Sequence, residues 1–498
     1  MSTQPLQTEQ LLDALGKDLR AADYSSQGVA DLLCDEANDA LGRGIWWPAL
    51  HKSEQSERRE LASMVRLFLL GSDEPEAVLA QAFPTIGVAA MVDQGVVERV
   101  DDGRLRAALD IRPHADDVGD YLVISDQDAA MRSGPVKHDH VLGIGGASVS
   151  LARAVIRDPV ARALDLGTGC GIQALHLDSH CEEIVATDTN ERALALAAAT
   201  AGINGMSWDL RAGSLFEPVG GERFDLIVSN PPFVVGSGGQ DYIYRDSGMV
   251  GDSLCADLIR QTRDHLTDGG TAQILANWIV RDGEDWQERV GGWLAETGLD
   301  AWVVQRELAD PISYISLWLS DAGEDPAQVV RRGADWLDWF AQENIRGIGM
   351  GSITMRNNNR SHPDVVIEEI TGAGEEVTGP EAKAFLDRRE YLLANDDAHL
   401  LGARFKTAPV FLESQSLPSD DGWQEIGAAV RRPGGPGAVL GVDEVSRALL
   451  AGCRGAVPLA ALIELLADFH GADADALATV ALPVVRDAVG RGILYEVR

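Results

Sequence analysis

Ala163-Leu164-Asp165-Leu166-Gly167-Thr168-Gly169-Cys170-Gly171-Ile172 sets an apolar strand directly against a glycine-rich turn, and Gln173 to Leu177 then opens a helix. Glycine lets the backbone approach a ligand closely, because no Cβ stands in the way. The spacing is G-x-G-x-G. A G-x-G-x-x-G turn would cradle a pyrophosphate at a helix N-terminus. The tighter turn, with Asp165 just before the first glycine, suits a ligand with an amino-acid end and no phosphate. Asp165 is then placed to help hold an ammonium group, directly or through water. Taken alone, such a turn can also be a strand–helix connection with no ligand.

Outward from this turn, residues 131–320 alternate strands and helices. Strand patterns fall at Ala163–Leu166, Ile184–Thr187, Ser207–Arg211, Phe224–Ser229, Thr271–Ala276, Ala301–Arg306 and Ser313–Leu319. The alternation predicts an α/β domain with a mostly parallel seven-stranded sheet covered on both faces. The link between the last two patterns, with Pro311, is too short for a crossover helix, so that pair is expected to be antiparallel. A helix at Ala327–Ala341 and strands at Ile348–Met355 and Val365–Ile370 follow.

Two further elements carry chemistry. Asp188 ends Ile184-Val185-Ala186-Thr187-Asp188, about twenty residues past the turn, where a carboxylate can accept both ribose hydroxyls of a nucleoside. With Glu191 three residues on, it could equally be a helix cap. Phe224 to Ser229 runs into Asn230-Pro231-Pro232-Phe233. Proline ends a ladder and removes donors, so structure alone explains this group poorly. The Asn230 side-chain oxygen and the Pro231 carbonyl can both accept hydrogen bonds from a substrate NH2, and Phe233 can stack on the planar group that bears it. Holding both hydrogens turns the nitrogen lone pair out of conjugation and towards a methyl donor. Positioning then replaces a strong general base.

The set resembles the class I S-adenosylmethionine-dependent methyltransferases, in the branch with the N-P-P-aromatic motif. That branch includes release-factor glutamine methyltransferases, ribosomal-RNA guanine and adenine methyltransferases, and DNA adenine methyltransferases. The resemblance covers residues 131–320 and implies a Rossmann-like fold with S-adenosylmethionine as cofactor. By this resemblance Asp165, Gly167, Thr168, Gly169 and Gly171 line the methionine end and Asp188 binds the ribose. Asn230, Pro231, Pro232 and Phe233 form the catalytic amine clamp, with Asn230 also facing the cofactor. Ser214, in Gly213-Ser214, stands where the family commonly has an acid for the adenine amine. Asn204 matches an asparagine often found before the third strand, in a structural role. The implied activity is N-methylation of a planar amide or exocyclic amine on a protein glutamine or an RNA base. N-P-P-F leans to RNA and the acidity of the chain to protein. The alternatives are a small-molecule methyltransferase and a catalytically inactive cofactor-binding scaffold.

Two segments invite a weaker reading. Val141 to Ser148, glycine-rich, is a helix-start loop capped by Ser148 or a lid over the cofactor. Arg356-Asn357-Asn358-Asn359-Arg360 reads as an exposed turn that could touch a polar substrate.

The ends of the chain differ from its middle. Residues 1–130 read as helices, among them Leu11–Leu19, Arg58–Leu70 and Ile86–Asp93. A strand, the turn Asp101-Asp102-Gly103 and a second strand at Arg104–Ile111 follow. Residues 373–498 read as helices at Glu444–Leu450, Leu459–Phe469 and Ala474–Val489, with a last strand at Ile493–Val497 and a Gly/Pro-rich loop at Arg432–Gly437. Both ends suggest winged-helix-like domains around a methyltransferase domain at 131–372. With 498 residues, about three domains are expected.

The net charge of −36, from 78 acids against 42 Lys and Arg, opposes bulk nucleic-acid binding but is compatible with a local basic groove. Five cysteines without C-x-x-C spacing, and His138 and His140 around Asp139 alone, predict neither a disulfide framework nor a metal site. The polar stretch Met1 to Gln10 lacks a secretory pattern, and no apolar run is long enough to span a bilayer, so a cytoplasmic protein is expected.

Overall fold

The computed structural model describes residues 6, 8–128, 131, 136–239, 241–321, 323, 326–370, 372, 375–420 and 422–497. Part of the stretch Met1 to Gln10 therefore lies outside the described residues, as do 129–130, 371 and 373–374 at the expected domain boundaries. The chain divides into two compact units. The first holds residues 1–152, 158–297 and 308–350, and the second holds 153–157, 298–307 and 351–498.

The main sheet has eight strands. They are β1 (Val160–Leu166), β2 (Cys181–Asp188), β3 (Asp209–Ala212), β4 (Phe224–Ser229), β5 (Leu266–Arg281), β6 (Asp300–Ala309), β7 (Ile345–Arg356) and β8 (Val365–Glu369). In the first unit the order is β7-β5-β4-β1-β2-β3. β4 runs parallel to both β5 and β1, and β2 runs parallel to both β1 and β3. Leu164, Val185, Ile227 and Val228 are fully buried, as befits parallel strands covered on both faces. From β1 the chain steps outward through β2 to β3, then returns to the other side of β1 as β4. This reversal of direction opens a crevice at the carboxyl ends of β1 and β4, where ligands bind in open α/β sheets.

In the second unit β6 lies between β8, to which it is parallel, and the end of β7. Trp302 on β6 is buried, stacks on Phe385 with ring centroids 4.2 Å apart, and donates from its indole N–H to Glu368.

One expected strand is absent. Residues 311–321, which include the pattern Ser313–Leu319, form a helix, Pro311–Asp321. Tyr314, Ile315 and Leu319 are buried while Ile312 and Leu317 are exposed, a helical spacing that apolar content alone conceals. Asp310 caps this helix by accepting from the Ile312 and Ser313 amides. The expected antiparallel pair is therefore replaced by two helices, Pro311–Asp321 and Pro326–Gln342, before β7. The sheet reaches eight strands, not seven, because β7 and β8 join it.

At the N-terminal end, Glu74–Pro75, Arg104–Ala107 and Val97–Arg99 make a three-stranded antiparallel sheet beside short helices. The expected strand to Ile111 breaks at Ala108, and Leu109–Ala115 instead pairs with Asp120–Asp126. Asn204 pins this hairpin. Its side chain accepts from the Leu122 amide and donates to the Leu122 carbonyl, at 2.9 and 2.8 Å. In the second unit, Phe411–Ser419, Gly422–Arg431 and Val439–Val442 form a three-stranded sheet that helix-based reading missed. Arg432–Gly437 is the loop between its last two strands.

Candidate active site

The crevice at the strand ends holds a cavity of 260 Å³. The glycine turn, the end of β2, the segment after β3 and the Asn-Pro-Pro group all contribute to its wall.

The turn is built by its backbone. Gly167 and Gly169 have φ of +78° and +57°, where a Cβ would be strained. Asp165 is fully buried beneath them, accepting from the Thr168 hydroxyl at 2.6 Å and the Ala174 amide at 3.0 Å. Its other oxygen is buried without a hydrogen-bond partner. Burial raises the carboxyl to about 7. Gly167, Thr168 and Gly169 line the cavity, whereas Asp165 and Gly171 do not. Gly171 serves packing: a Cβ there would stand 2.6 Å from the Trp208 ring.

Asp188 lines the cavity and is held by two amides, Gly169 at 2.9 Å and Asn190 at 2.8 Å. Burial raises its carboxyl above the usual carboxylate range, against the pull of these amides. The helix cap is Asn190, whose side chain accepts from the Arg192 amide, so Asp188 is not needed for that purpose. Ser214 lines the cavity as well.

Asn230, Pro231 and Pro232 line the same cavity. The Asn230 amide donates to the Ser148 hydroxyl at 3.3 Å, which leaves its carbonyl oxygen as an acceptor for a ligand. Ser148 lies within the helix Gly146–Ala154 and not at its cap. Its carbonyl accepts from Gln173 at 2.8 Å, so the first turn of this helix is tied to the helix after the glycine turn. Gly143 and Ser148 both line the cavity. Phe233 stands outside its wall, edge-on to Trp318 with centroids 6.1 Å apart.

Sequence reading missed a second wall. Ile243, Tyr244, Asp246 and Ser247 line the cavity from the loop after the Asn-Pro-Pro-Phe group. The density of aromatic and charged residues in Asp241-Tyr242-Ile243-Tyr244-Arg245-Asp246 is the signal that could have found it. Asp246 accepts from the Asp241 and Tyr242 amides, which fixes the loop, and burial raises its carboxyl. His140 also lines the cavity, with Asp126 at 3.7 Å. Asp126 in turn takes a paired interaction from Arg192 and accepts from the Val141 amide.

One sequence candidate proves less free than expected. Arg356–Arg360 is not a loose turn. Asn357 is fully buried, Arg356 pairs with Asp387 at 2.8 Å and Arg360 with Asp300 at 3.1 Å. Among the described residues, no group of three or more His, Cys, Asp or Glu side chains is placed to hold a metal ion.

The raised carboxyl of Asp165 has a thermodynamic consequence. Between about pH 4 and 7 the folded chain binds a proton there that the unfolded chain has released. Stability without ligand should therefore fall as pH rises through this window. Asp165→Asn should remove that fall. Relative to the parent, the variant should gain on the order of 1 kcal/mol or more on going from pH 5 to pH 8. Urea midpoints at the two pH values measure it, and identical pH slopes would refute it.

Residues 144–284 match the methyltransferase small domain family, and residues 21–108 and 383–496 match two families described as domains of unknown function. The ribosomal RNA small subunit methyltransferase C of Erwinia tasmaniensis is 26% identical over 244 residues, 47% of this chain and 65% of that protein. The release factor glutamine methyltransferase of Geobacter sulfurreducens is 43% identical over 89 residues, 17% of this chain and 31% of that protein. The chain thus spans 31% to 65% of the length of these relatives. Among solved structures, a T. thermophilus 16S rRNA N2 G1207 methyltransferase in complex with AdoMet and guanosine aligns with a TM-score of 0.26 and 18% identity. That alignment covers 44% of this chain and 55% of that one. The stretch that matches the methyltransferase small domain family, residues 144–284, supplies β1 to β5 of the main sheet and the glycine turn, Asp188 and Asn230-Pro231-Pro232 of the cavity wall.

Proposed function

We propose that this chain transfers a methyl group from S-adenosylmethionine to the planar nitrogen of an amide or exocyclic base amine on a macromolecule. One observation carries the reading: the glycine turn, Asp188 and Asn230-Pro231-Pro232 line one cavity. A cofactor pocket alone would not need an amine clamp on its wall.

The residues present suit that cofactor. The turn offers backbone and no phosphate-binding side chain. Asp188 faces the cavity as a ribose acceptor, and Ser214 supplies a polar contact for the adenine end. Asp165, buried beneath the turn, holds the backbone that faces the ligand by accepting from the Thr168 hydroxyl and the Ala174 amide. S-adenosylmethionine supplies an electrophilic methyl group on a sulfonium sulfur.

The chain's own residues do the positioning. The Asn230 carbonyl oxygen and the Pro231 carbonyl accept the two hydrogens of the target NH2, which aims the nitrogen lone pair at the methyl carbon. A carbon–nitrogen bond forms as the carbon–sulfur bond breaks, and the surplus proton then passes to water. Ser148 holds the Asn230 amide so that its oxygen, not its NH2, meets the substrate. Phe233, packed edge-on against Trp318 outside the cavity wall, is not part of the clamp on this reading.

The methyl acceptors named for the relatives, ribosomal RNA and release-factor glutamine, offer planar nitrogens of this kind. Both would be met in the cytoplasm. No described helix is long and apolar enough to cross a membrane. On this reading the winged-helix-like terminal domains, at 1–130 and 373–498, dock the macromolecule for the methyltransferase domain at 131–372.

Ser148→Ala tests the orientation of the clamp. Losing one net hydrogen bond of about 1 kcal/mol should lower turnover about three- to tenfold, with cofactor affinity unchanged. Steady-state kinetics beside calorimetry check this. Equal losses in turnover and cofactor binding would show that Ser148 serves the cofactor pocket instead.

A further inference from the structure

In a chain of net charge −36, arginines of the second unit are mostly neutralised. Arg388, Arg389, Arg431, Arg432 and Arg486 each pair with a carboxylate. One place departs from this pattern. Phe405–Thr407 pairs antiparallel with Leu494–Glu496, placing Tyr495 directly opposite Lys406. On its other side, Lys406 stands opposite Arg454 in an isolated bridge. The bridge is flanked by hydrogen bonds from the Thr407 amide to Cys453 and from the Gly455 amide to Phe405, at 2.9 and 2.8 Å. This is the close, non-hydrogen-bonded kind of pair, whose Cα atoms are about 4.5 Å apart.

Directly opposed residues share a face of a sheet. Tyr495, Lys406 and Arg454 therefore form a row on one face, while Phe405 and Leu494 point into the core. Tyr495 is 45% exposed, and Lys406 and Arg454 are exposed. Among the described residues, neither of these cations forms an ion pair. Two like charges side by side without an acid raise the energy of the folded chain. Packing does not require them there.

Beside this row lies a cleft of 330 Å³ lined by Lys406, Arg454 and Arg447, with Leu412 and Val430 as an apolar wall. We propose that this face of the second unit binds a single-stranded segment of RNA. Lys406 and Arg454 take successive phosphates, Tyr495 stacks on a base, and the apolar wall receives the neighbouring one. An aromatic at the end of a row of two cations on a sheet face is what single strands require, because every base offers a π-face and every nucleotide a charge. An acidic peptide would satisfy the cations but leave the exposed ring and the apolar wall without a partner. The inference rests on the methyltransferase reading and names its substrate class as RNA.

The test is fluorescence anisotropy of a short fluorescein-labelled single-stranded RNA with the full chain and no methyl donor. Success or failure is thus read independently of methyl transfer. The parent should bind with an affinity that falls with salt. Lys406→Gln/Arg454→Gln should weaken binding at least about tenfold and lessen the slope of log affinity against log salt by about 1.4, from two phosphates at about 0.7 each. Tyr495→Ala should weaken binding about five- to a hundredfold. All three side chains are exposed, and circular dichroism and melting temperature, unchanged in each variant, confirm an intact fold. RNA binding that is absent, or indifferent to these substitutions, overturns the proposal. So does polyglutamate binding that shows the same losses, which would assign the face to an acidic protein segment.

Discussion

Asn230→Ala should lower turnover about a hundredfold or more, while cofactor affinity stays within about threefold. The two readouts separate because the Asn230 oxygen meets the substrate amine on this account, and its own amide is already engaged by Ser148. An interaction that matures only as the nitrogen pyramidalises acts on the transition state and leaves ground-state binding nearly alone. Loss of one positioned polar group in a water-excluded site costs about 3–4 kcal/mol. The competing view is that Asn230 ties the Pro231-Pro232 loop to the helix Gly146–Ala154. That view expects a lower melting temperature and weaker cofactor binding together. Kinetics, calorimetry and thermal melts on one preparation decide between them. A folded variant with full activity would remove the amine clamp from the mechanism.

Asp188→Ala should weaken binding of S-adenosylmethionine and of its demethylated product by about a hundredfold or more. A carboxylate that accepts both ribose hydroxyls makes two charge-assisted bonds, each worth about 1.5–3 kcal/mol. The side chain also holds the Gly169 and Asn190 amides, so its loss loosens the glycine turn from the side. Asp188→Asn keeps one acceptor for an amide and should fall between parent and alanine variant. Calorimetry with both ligands measures this, and circular dichroism checks the fold. Undiminished affinity in the alanine variant would move the ribose elsewhere.

The central sheet was legible because its strands are buried on both faces and end in residues with a chemical purpose. β4 follows its apolar run without a residue of error, from Phe224 to Ser229. The Ser313–Leu319 pattern misled because its apolar residues suit either a buried strand or a helix. Only Asp310, a cap for the Ile312 and Ser313 amides, argued for the helix. In the site, Asp165, Gly171 and Phe233 were read as ligand contacts from their places in a motif. The structure puts the first two under and behind the turn, since a tight turn needs buried support as much as an exposed face. It sets Phe233 against Trp318. The wall from Ile243 to Ser247 escaped because its residues carry no periodicity, and a loop's position depends on long-range partners. Here those are the His138 carbonyl for the Ile243 amide and the Val234 amide for the Arg245 carbonyl. The Tyr495–Lys406–Arg454 row joins residues far apart in the chain through strand pairing, which no local pattern displays.

The most direct measurement is transfer of a labelled methyl group from S-adenosylmethionine by the purified chain to fractionated RNA, protein and small molecules. The fractions come from cells that lack the enzyme, and the modified atom is identified by mass spectrometry of the digested product. The account predicts label on an exocyclic amine of a nucleoside in the RNA fraction, abolished by Asn230→Ala. Label on oxygen or carbon, or no transfer to any fraction by a chain that binds the cofactor, would contradict it.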